Sequence, residues 1–201
     1  MRVVRRRAAL GAAVLSGLGS SPVSAHSPIE GLGTFYSYFL HPVLVPEFAL
    51  LVLGVSLLLG QQGRDAARIG LAGLTLGLAT GLLLIGVWPA LAADQGLILT
   101  MAMIAGAALC ADKSLPKVIP AILAFGCGLA VTLDPDLATR KRDALLAASG
   151  LVVGTLFFAT IVTGYSIGSE PFWLQIARRV IGSWIVAAAM LVLALALKAS
   201  N

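Results

Sequence analysis

The stretch LHPVLVPEFALLVLGVSLLLG, residues 40–60, decides how the whole chain is interpreted. It has the length and apolar character of a membrane-spanning helix, which needs about 20 residues. Glu47 lies a few residues inside it, where a charged side chain costs from about 3 to 10 kcal/mol or more unless it faces a cavity or a partner. We therefore expect an ion or proton site near one face of a polytopic membrane protein.

The composition agrees with that expectation. Hydrophobic residues make up 59% of the chain and charged residues 11%, and the mean hydropathy is +0.97. Soluble domains are typically about 45–50% apolar and about 25% charged. No charge-rich or Pro/Ser-rich linker divides the sequence, so we expect residues 26–201 to form one membrane domain whose first partner is the lipid bilayer.

The first 25 residues have the pattern of a secretory signal peptide. A basic segment, a short apolar stretch and a small-x-small exit ending at Ala25 follow one another there. Cleavage after Ala25 would remove four of the fourteen basic residues and leave ten against nine acidic ones, a net charge of +1. Because most of the formal charge of +5 lies in the predicted signal peptide, we expect no nucleic-acid partner. An uncleaved signal anchor, which would add one helix, is the alternative.

Apolar runs after the signal predict an all-α bundle of six transmembrane helices. Backbone groups in lipid must be bonded internally, and the length of these runs suits helices rather than the alternating strands of a barrel of about ten residues each. The third run is the shortest. The predicted spans are 40–60, 69–91, 97–111, 116–133, 144–165 and 175–197.

Basic residues in the connections give the orientation. A cleaved signal leaves the mature N-terminus outside, so the first, third and fifth connections are cytoplasmic, and they carry more Lys and Arg than the outer ones, as the positive-inside rule requires. The cytoplasmic set is Arg64, Arg68, Lys113, Lys117, Arg178 and Arg179, and the outer set is Arg140, Lys141, Arg142 and Lys198.

Glycines at four-residue spacing predict close helix contacts. Such glycines share one helix face and let two backbones approach, which gains packing contacts that lipid does not replace. The pattern leaves open whether the partner helix belongs to the same chain or to another copy. The glycines concerned are Gly73, Gly77 and Gly81 in the second span, and Gly150 and Gly154 in the fifth.

In the predicted topology, both histidines and six of the nine acidic residues fall on or near the outer face. Imidazole and carboxylate groups together suit a borderline divalent cation such as Ni²⁺, Co²⁺ or Zn²⁺. We take His41, Glu47, Asp134 and His26 as the candidate metal ligands. After cleavage His26 would be the first residue, and its amine and imidazole would be able to chelate one ion together.

Three of these candidate ligands, and also Asp94, have an ordinary structural role as the alternative interpretation. His41 with Pro42 would serve as a helix start, and Glu47 would reach the interface with its side chain. Asp94 and Asp134 would be loop or cap residues.

At the other face, Arg178 and Arg179 with Trp173 and Trp184 have the pattern of an interfacial anchor for the last span. The sequence contains no HExxH, GxSxG or CxxC motif and no phosphate-binding glycine loop. We therefore expect no enzyme, and we expect any flux to be driven by a gradient, by the membrane potential or by another subunit.

Two blocks of the sequence resemble the HupE/UreJ family of hydrogenase- and urease-associated membrane permeases. Residues 26–63, HSPIEGLGTFYSYFLHPVLVPEFALLVLGVSLLLGQQG, are similar to the subgroup with a His after the signal, a His-Pro helix start and a Gly-Gln-Gln-Gly exit. Residues 175–197, QIARRVIGSWIVAAAMLVLALAL, are similar to its last span. With six spans between signal and C-terminus, the resemblance covers essentially the whole mature chain.

The resemblance implies uptake of nickel or cobalt across a bacterial inner membrane, in service of metalloenzyme assembly. The family motif on the first span is His-Pro-x-x-Gly-x-Asp-His, whose His and Asp residues are tied to transport. Here His41-Pro42 matches and Glu47 stands at the Asp position, while Val45 replaces the Gly and Phe48 replaces the second His.

Two functions follow from these observations. The first is a permease for a divalent transition metal, nickel or cobalt, with an outward-facing site. The second is a non-transporting accessory or assembly protein for metalloenzyme maturation, which the reduced ligand set favours, and whose glycine faces would dock onto a second copy or an accessory membrane partner.

Overall fold

The computed structural model describes residues 33–88, 91–134, 137, 143–168 and 171–199. The predicted signal peptide, residues 1–25, and His26 lie outside the described residues. All regular structure within the described ranges is helical, as predicted, and it forms seven helices. They are α1 Gly33–Leu44, α2 Pro46–Gln61, α3 Arg64–Val87, α4 Gln95–Ala111, α5 Val118–Thr132, α6 Ala144–Ser166 and α7 Phe172–Ala199.

The first predicted span, 40–60, is not one continuous helix. It is the end of α1 and all of α2, which meet at Val45 and are bent by 69°. Pro46 causes the break, because it has no N–H to continue the hydrogen-bond ladder and because it disfavours helical geometry in the residue before it. Val45 accordingly has an extended backbone, with φ −85° and ψ 116°.

The other predicted spans each correspond to one helix, with ends that shift by a few residues. Three helices, α3, α6 and α7, are long and apolar enough to cross a membrane, and the bent α1–α2 pair passes the same test when taken together. Helices α4 and α5 are apolar but shorter, with 17 and 15 residues. The described part of the chain is therefore all-α, with helices long and apolar enough to span a membrane, and the number of six crossings remains a prediction.

Helix α2 is the centre of the bundle. It contacts all six other helices, and the side chains of Leu51, Leu58 and Leu59 are fully buried. Its own residues are apolar on all faces of the helix, as expected for a helix inside a bundle rather than on its surface. The residues at its two ends are therefore held in place by most of the fold.

The spaced glycines lie at contacts between helices of this same chain. In α3, a methyl group at Gly77 would collide with the carbonyl oxygen of Phe125 in α5, and Gly73 and Gly81 also face α5. In α6, Gly150 and Gly154 face the backbone of α1 at Phe35 and Phe39. The glycine faces are thus occupied within the chain.

These contacts fix the helix directions. Gly73 lies against Ala121 and Gly77 against Phe125, so α3 and α5 run parallel. Gly81 lies against the last turn of α5, and α3 then continues to Val87, about 9 Å further at 1.5 Å per residue.

The short helices leave a recess at one end of the bundle. Helices α2, α4 and α5 have 16, 17 and 15 residues, or about 22–26 Å, whereas α3 and α6 have 24 and 23, or about 35 Å. A hydrocarbon core is about 30 Å thick. We call this the cavity end; it comprises the α1–α2 junction, residues 91–95 and residues 133–134. The opposite end, residues 61–64, 112–117 and 166–168, is the glutamine end.

Candidate functional site

A cavity of about 200 Å³ opens at the cavity end. That volume has room for several water molecules. Three parts of the sequence that are far from one another contribute to it, namely the α1–α2 junction, the start of α4 with the residues before it, and the residues after α5. The lining residues are His41, Glu47, Phe48, Ala93, Gln95, Ile98 and Asp134.

His41 and Asp134 form the closest polar contact in this cavity. Nε2 of His41 lies 2.6 Å from Oδ2 of Asp134, and the two side chains are 14% and 4% exposed. A backbone hydrogen bond from the N–H of Ala93 to the carbonyl oxygen of Leu133, 2.8 Å long, fixes the segment that carries Asp134. Burial makes this pair costly to separate, because either group alone would lose its partner away from bulk water.

The His41 ring is held from both sides. Tyr38, one turn earlier in α1, stacks on it with ring centroids 5.6 Å apart, and Phe48 of α2 packs against it at 5.5 Å. Phe48 is 5% exposed. At position 48 the cavity therefore contains an aromatic ring that packs against His41 instead of a second imidazole.

Glu47 lies in the first turn of α2, directly after Pro46. The N–H groups of a first turn have no helical partners, and the positive end of the helix dipole favours a carboxylate there. Nε2 of Gln95, the first residue of α4, lies 3.4 Å from Oε1 of Glu47. This bond is long, so Glu47 keeps most of its capacity to accept hydrogen bonds or bind a cation.

Three predicted ligands, His41, Glu47 and Asp134, therefore line one cavity, although only His41 and Asp134 are in direct contact. Within the described ranges, no three His, Cys, Asp or Glu side chains are close enough together to hold a metal ion. Asp94, treated above as a loop or cap residue, accepts a hydrogen bond of 3.1 Å from the N–H of Leu97 and caps α4.

The residues predicted as an anchor for the last span lie on α7, but not all at one level. Trp173 and Trp184 are 66% and 74% exposed, and Trp184 lies about 16 Å further along the helix. Arg178 instead donates a hydrogen bond of 3.0 Å to the carbonyl oxygen of Ser166, at the end of α6. Arg178 therefore joins two helices, and the anchoring role of the two tryptophans stays a prediction.

Gln95 was not predicted from the sequence, nor was the position of Ala93 in the cavity wall. Both are uncharged residues in what the sequence predicts to be a loop, and nothing in their residue type indicates a binding site. The pairing of Asp134 with His41 was also beyond sequence reasoning, since periodicity does not show which ends of which helices meet.

Among the described residues, the lining carries two carboxylates and one imidazole, with no Lys or Arg. Its formal charge is −2 with neutral His41 and −1 with protonated His41. Low-dielectric walls around such a recess raise the local concentration of cations. The site can therefore attract a cation, replace part of its hydration shell with carboxylate and imidazole atoms, and offset its charge with Glu47.

No family model matches this chain, and no curated protein or solved structure matches it either.

Proposed function

We propose that this chain is a membrane permease of the HupE/UreJ type that admits a divalent transition metal cation, with nickel or cobalt as the favoured substrate. The observation that carries the proposal is the cavity lined by His41, Glu47 and Asp134 at the recessed end of an apolar helical bundle.

The entry step is partial dehydration. A divalent cation would reach the cavity with its water shell and exchange some of that water for Glu47 and for the His41–Asp134 pair. Imidazole nitrogen with carboxylate oxygen suits nickel, cobalt and zinc, whereas Mg²⁺ and Ca²⁺ prefer oxygen ligands alone. The mixed ligand set therefore favours a transition metal.

The proposed setting is a bacterial inner membrane, with the cavity end on the periplasmic side. Inside-negative potential then drives uptake, because a divalent cation gains about 4.6 kcal/mol per 100 mV. The glutamine end would face the cytoplasm, where Arg64, Arg68, Lys113 and Lys117 lie, in keeping with the positive-inside rule.

A second candidate is the accessory or assembly protein, which would bind a partner without transporting metal. Two observations favour it: Phe48 in place of a third ligand, and the absence of a three-ligand group among the described residues. The glycine faces do not favour it, because Gly77 and Gly154 already contact other helices of this chain.

The test is uptake by purified protein in proteoliposomes that are loaded with a metal-sensing dye and given an inside-negative potential. The permease moves nickel or cobalt inward, and Glu47→Ala stops it. Gly86→Ala is the matched control, because a methyl group at Gly86 meets nothing within 4 Å. Equal dye signals from wild type, Glu47→Ala and empty vesicles would overturn the permease and favour the accessory protein.

A further inference from the structure

The glutamine end contains a hydrogen-bonded cluster that the proposed entry site does not use. Gln61 and Gln62 end helix α2, and both side chains reach across to the connection between α4 and α5. Nε2 of Gln61 donates to Oδ1 of Asp112 at 2.6 Å and to the carbonyl oxygen of Leu109 at 3.2 Å.

Gln62 completes the cluster with both ends of its amide. Its Nε2 donates to the carbonyl oxygen of Lys113 at 3.0 Å, and its Oε1 accepts from the N–H of Leu115 at 2.8 Å. Asp112 has a left-handed backbone, with φ +48°, which turns the chain sharply after α4. Two adjacent side chains thus hold the α4–α5 connection against the end of the central helix.

The other side of the same helix end is joined differently. A methyl group at Gly60 would collide with Ser166 of α6, and Oγ of Ser166 donates to the carbonyl oxygen of Leu57 at 3.1 Å. Backbones in such close contact move together, because any displacement loses packing along the whole contact. If this end opens, we expect it to open between α2 and the α4–α5 connection, because Gln61 and Gln62 hold that connection through side-chain hydrogen bonds.

The two ends of α2 are therefore unequal. At the cavity end, α4 is joined to α2 side chains by a single long hydrogen bond, Gln95 to Glu47 at 3.4 Å, beside an open cavity. At the glutamine end, four hydrogen bonds of 2.6–3.2 Å join Gln61 and Gln62 to the last turn of α4 and to the α4–α5 connection. Between the two ends of α2, the side chains of Leu51 and Leu58 are fully buried.

We propose that Gln61 and Gln62 form an inner latch, and that the structure is the state with the outer cavity open and the inner end closed. This inference rests on the proposed function, since passage of a cation requires the latch to release. Hydrogen bonds suit that role, because each contributes only about 1 kcal/mol net and can exchange with water.

The test uses the chain's own cysteines as reporters. Cys110 lies next to Leu109, whose carbonyl oxygen Gln61 binds, and its Sγ donates to the carbonyl oxygen of Arg179 in α7 at 3.2 Å. A displacement of the last turn of α4 away from α2 would therefore break this contact and expose the partly buried Cys110, whereas Cys127 in α5 is 1% exposed. We would measure the rate of maleimide labelling of each cysteine in the purified full-length protein in detergent. Gln61→Glu replaces a donor by a carboxylate facing Asp112 with almost no change of shape. We expect Cys110 labelling to rise roughly five- to thirtyfold, as the loss of one or two hydrogen bonds predicts, with Cys127 unchanged.

Adding Asp112→Asn to Gln61→Glu restores an amide–carboxylate pair with reversed direction, so labelling of Cys110 should return toward the wild-type rate. Gln62→Ala, at a half-buried position, is the second variant. If Gln61→Glu also exposes Cys127, that variant has lost its fold, and Gln62→Ala then serves as the test of the latch. Unchanged Cys110 labelling in Gln62→Ala, with Cys127 protected, would overturn the latch. Because labelling needs no transported metal, that result leaves the proposed permease standing. Absent uptake together with raised Cys110 labelling would instead overturn the permease, and with it the role of this cluster as a transport latch.

Discussion

Nε2 of His41 lies 2.6 Å from Oδ2 of Asp134, so the last turn of α1 is joined to the residues that follow α5. This pair holds the α1–α2 junction at the mouth of the bundle. It also engages Nε2 of the imidazole, so a cation that binds through this nitrogen must compete with Asp134 or bind both partners together.

The pair should stabilise the fold as a unit. We expect Asp134→Leu and His41→Leu each to lower the free energy of unfolding by about 3 kcal/mol, since each leaves a buried polar partner uncompensated. His41→Leu combined with Asp134→Leu should cost much less than the sum of the two single leucine substitutions. Thermal unfolding in detergent measures all of these, and strictly additive losses would contradict a coupled pair.

The glycine contact between α3 and α5 gives a prediction with a control on the same helix. Gly77→Ala should lower the free energy of unfolding by about 1–3 kcal/mol, because its methyl group collides with the Phe125 carbonyl. Gly86→Ala should be neutral or stabilising by up to about 1 kcal/mol, because that position is open and alanine is the better helix former. Equal effects on the melting temperature would contradict the packing described here.

Phe48 gives a test of the missing third ligand. Phe48→His places a second imidazole beside His41, where the ring centroids are now 5.5 Å apart. We expect the affinity for nickel or cobalt to rise on the order of tenfold, equal to about 1.4 kcal/mol. Isothermal titration of the purified protein measures it. Phe48→Leu is the control, and a rise in affinity there would show that space, and not a ligand, was gained.

Gln95 should act on Glu47 only weakly. Its hydrogen bond is 3.4 Å long, so Gln95→Ala should lower uptake by roughly twofold, whereas Glu47→Gln removes the charge and should lower it on the order of tenfold or more. Initial rates in the proteoliposome assay compare them. Equal losses would mean that Gln95 itself binds the ion.

Much of the fold follows from the sequence, and the reasons for the exceptions are local. Apolar length alone predicted the helices that became α3, α4, α5, α6 and α7. The break at Val45 was missed, although Pro46 signals it, because a hydropathy window averages over the interruption. Helix α1 was also missed, since its aromatic and polar residues before Leu40 do not form an apolar run.

The sequence predicted which residues belong to the candidate site, but it did not predict which of them contact one another. Glu47 stands out because a carboxylate inside an apolar run needs a reason. That Asp134 would contact His41, while Gln95 approached Glu47, depends on the lengths of α4 and α5 and on glycine contacts that set helix heights. Such contacts join segments that are distant in the sequence, and no local pattern in a single sequence indicates them.

The most direct test of the central claim is the metal content of cells by mass spectrometry. Cells would overexpress the wild type, Glu47→Ala or His41→Ala and be challenged in turn with nickel, cobalt, zinc and copper. The account predicts that the wild type accumulates nickel or cobalt and that both substitutions abolish the accumulation at equal membrane insertion. Wild-type cells that accumulate no metal, or Glu47→Ala cells that accumulate as much as the wild type, would contradict it.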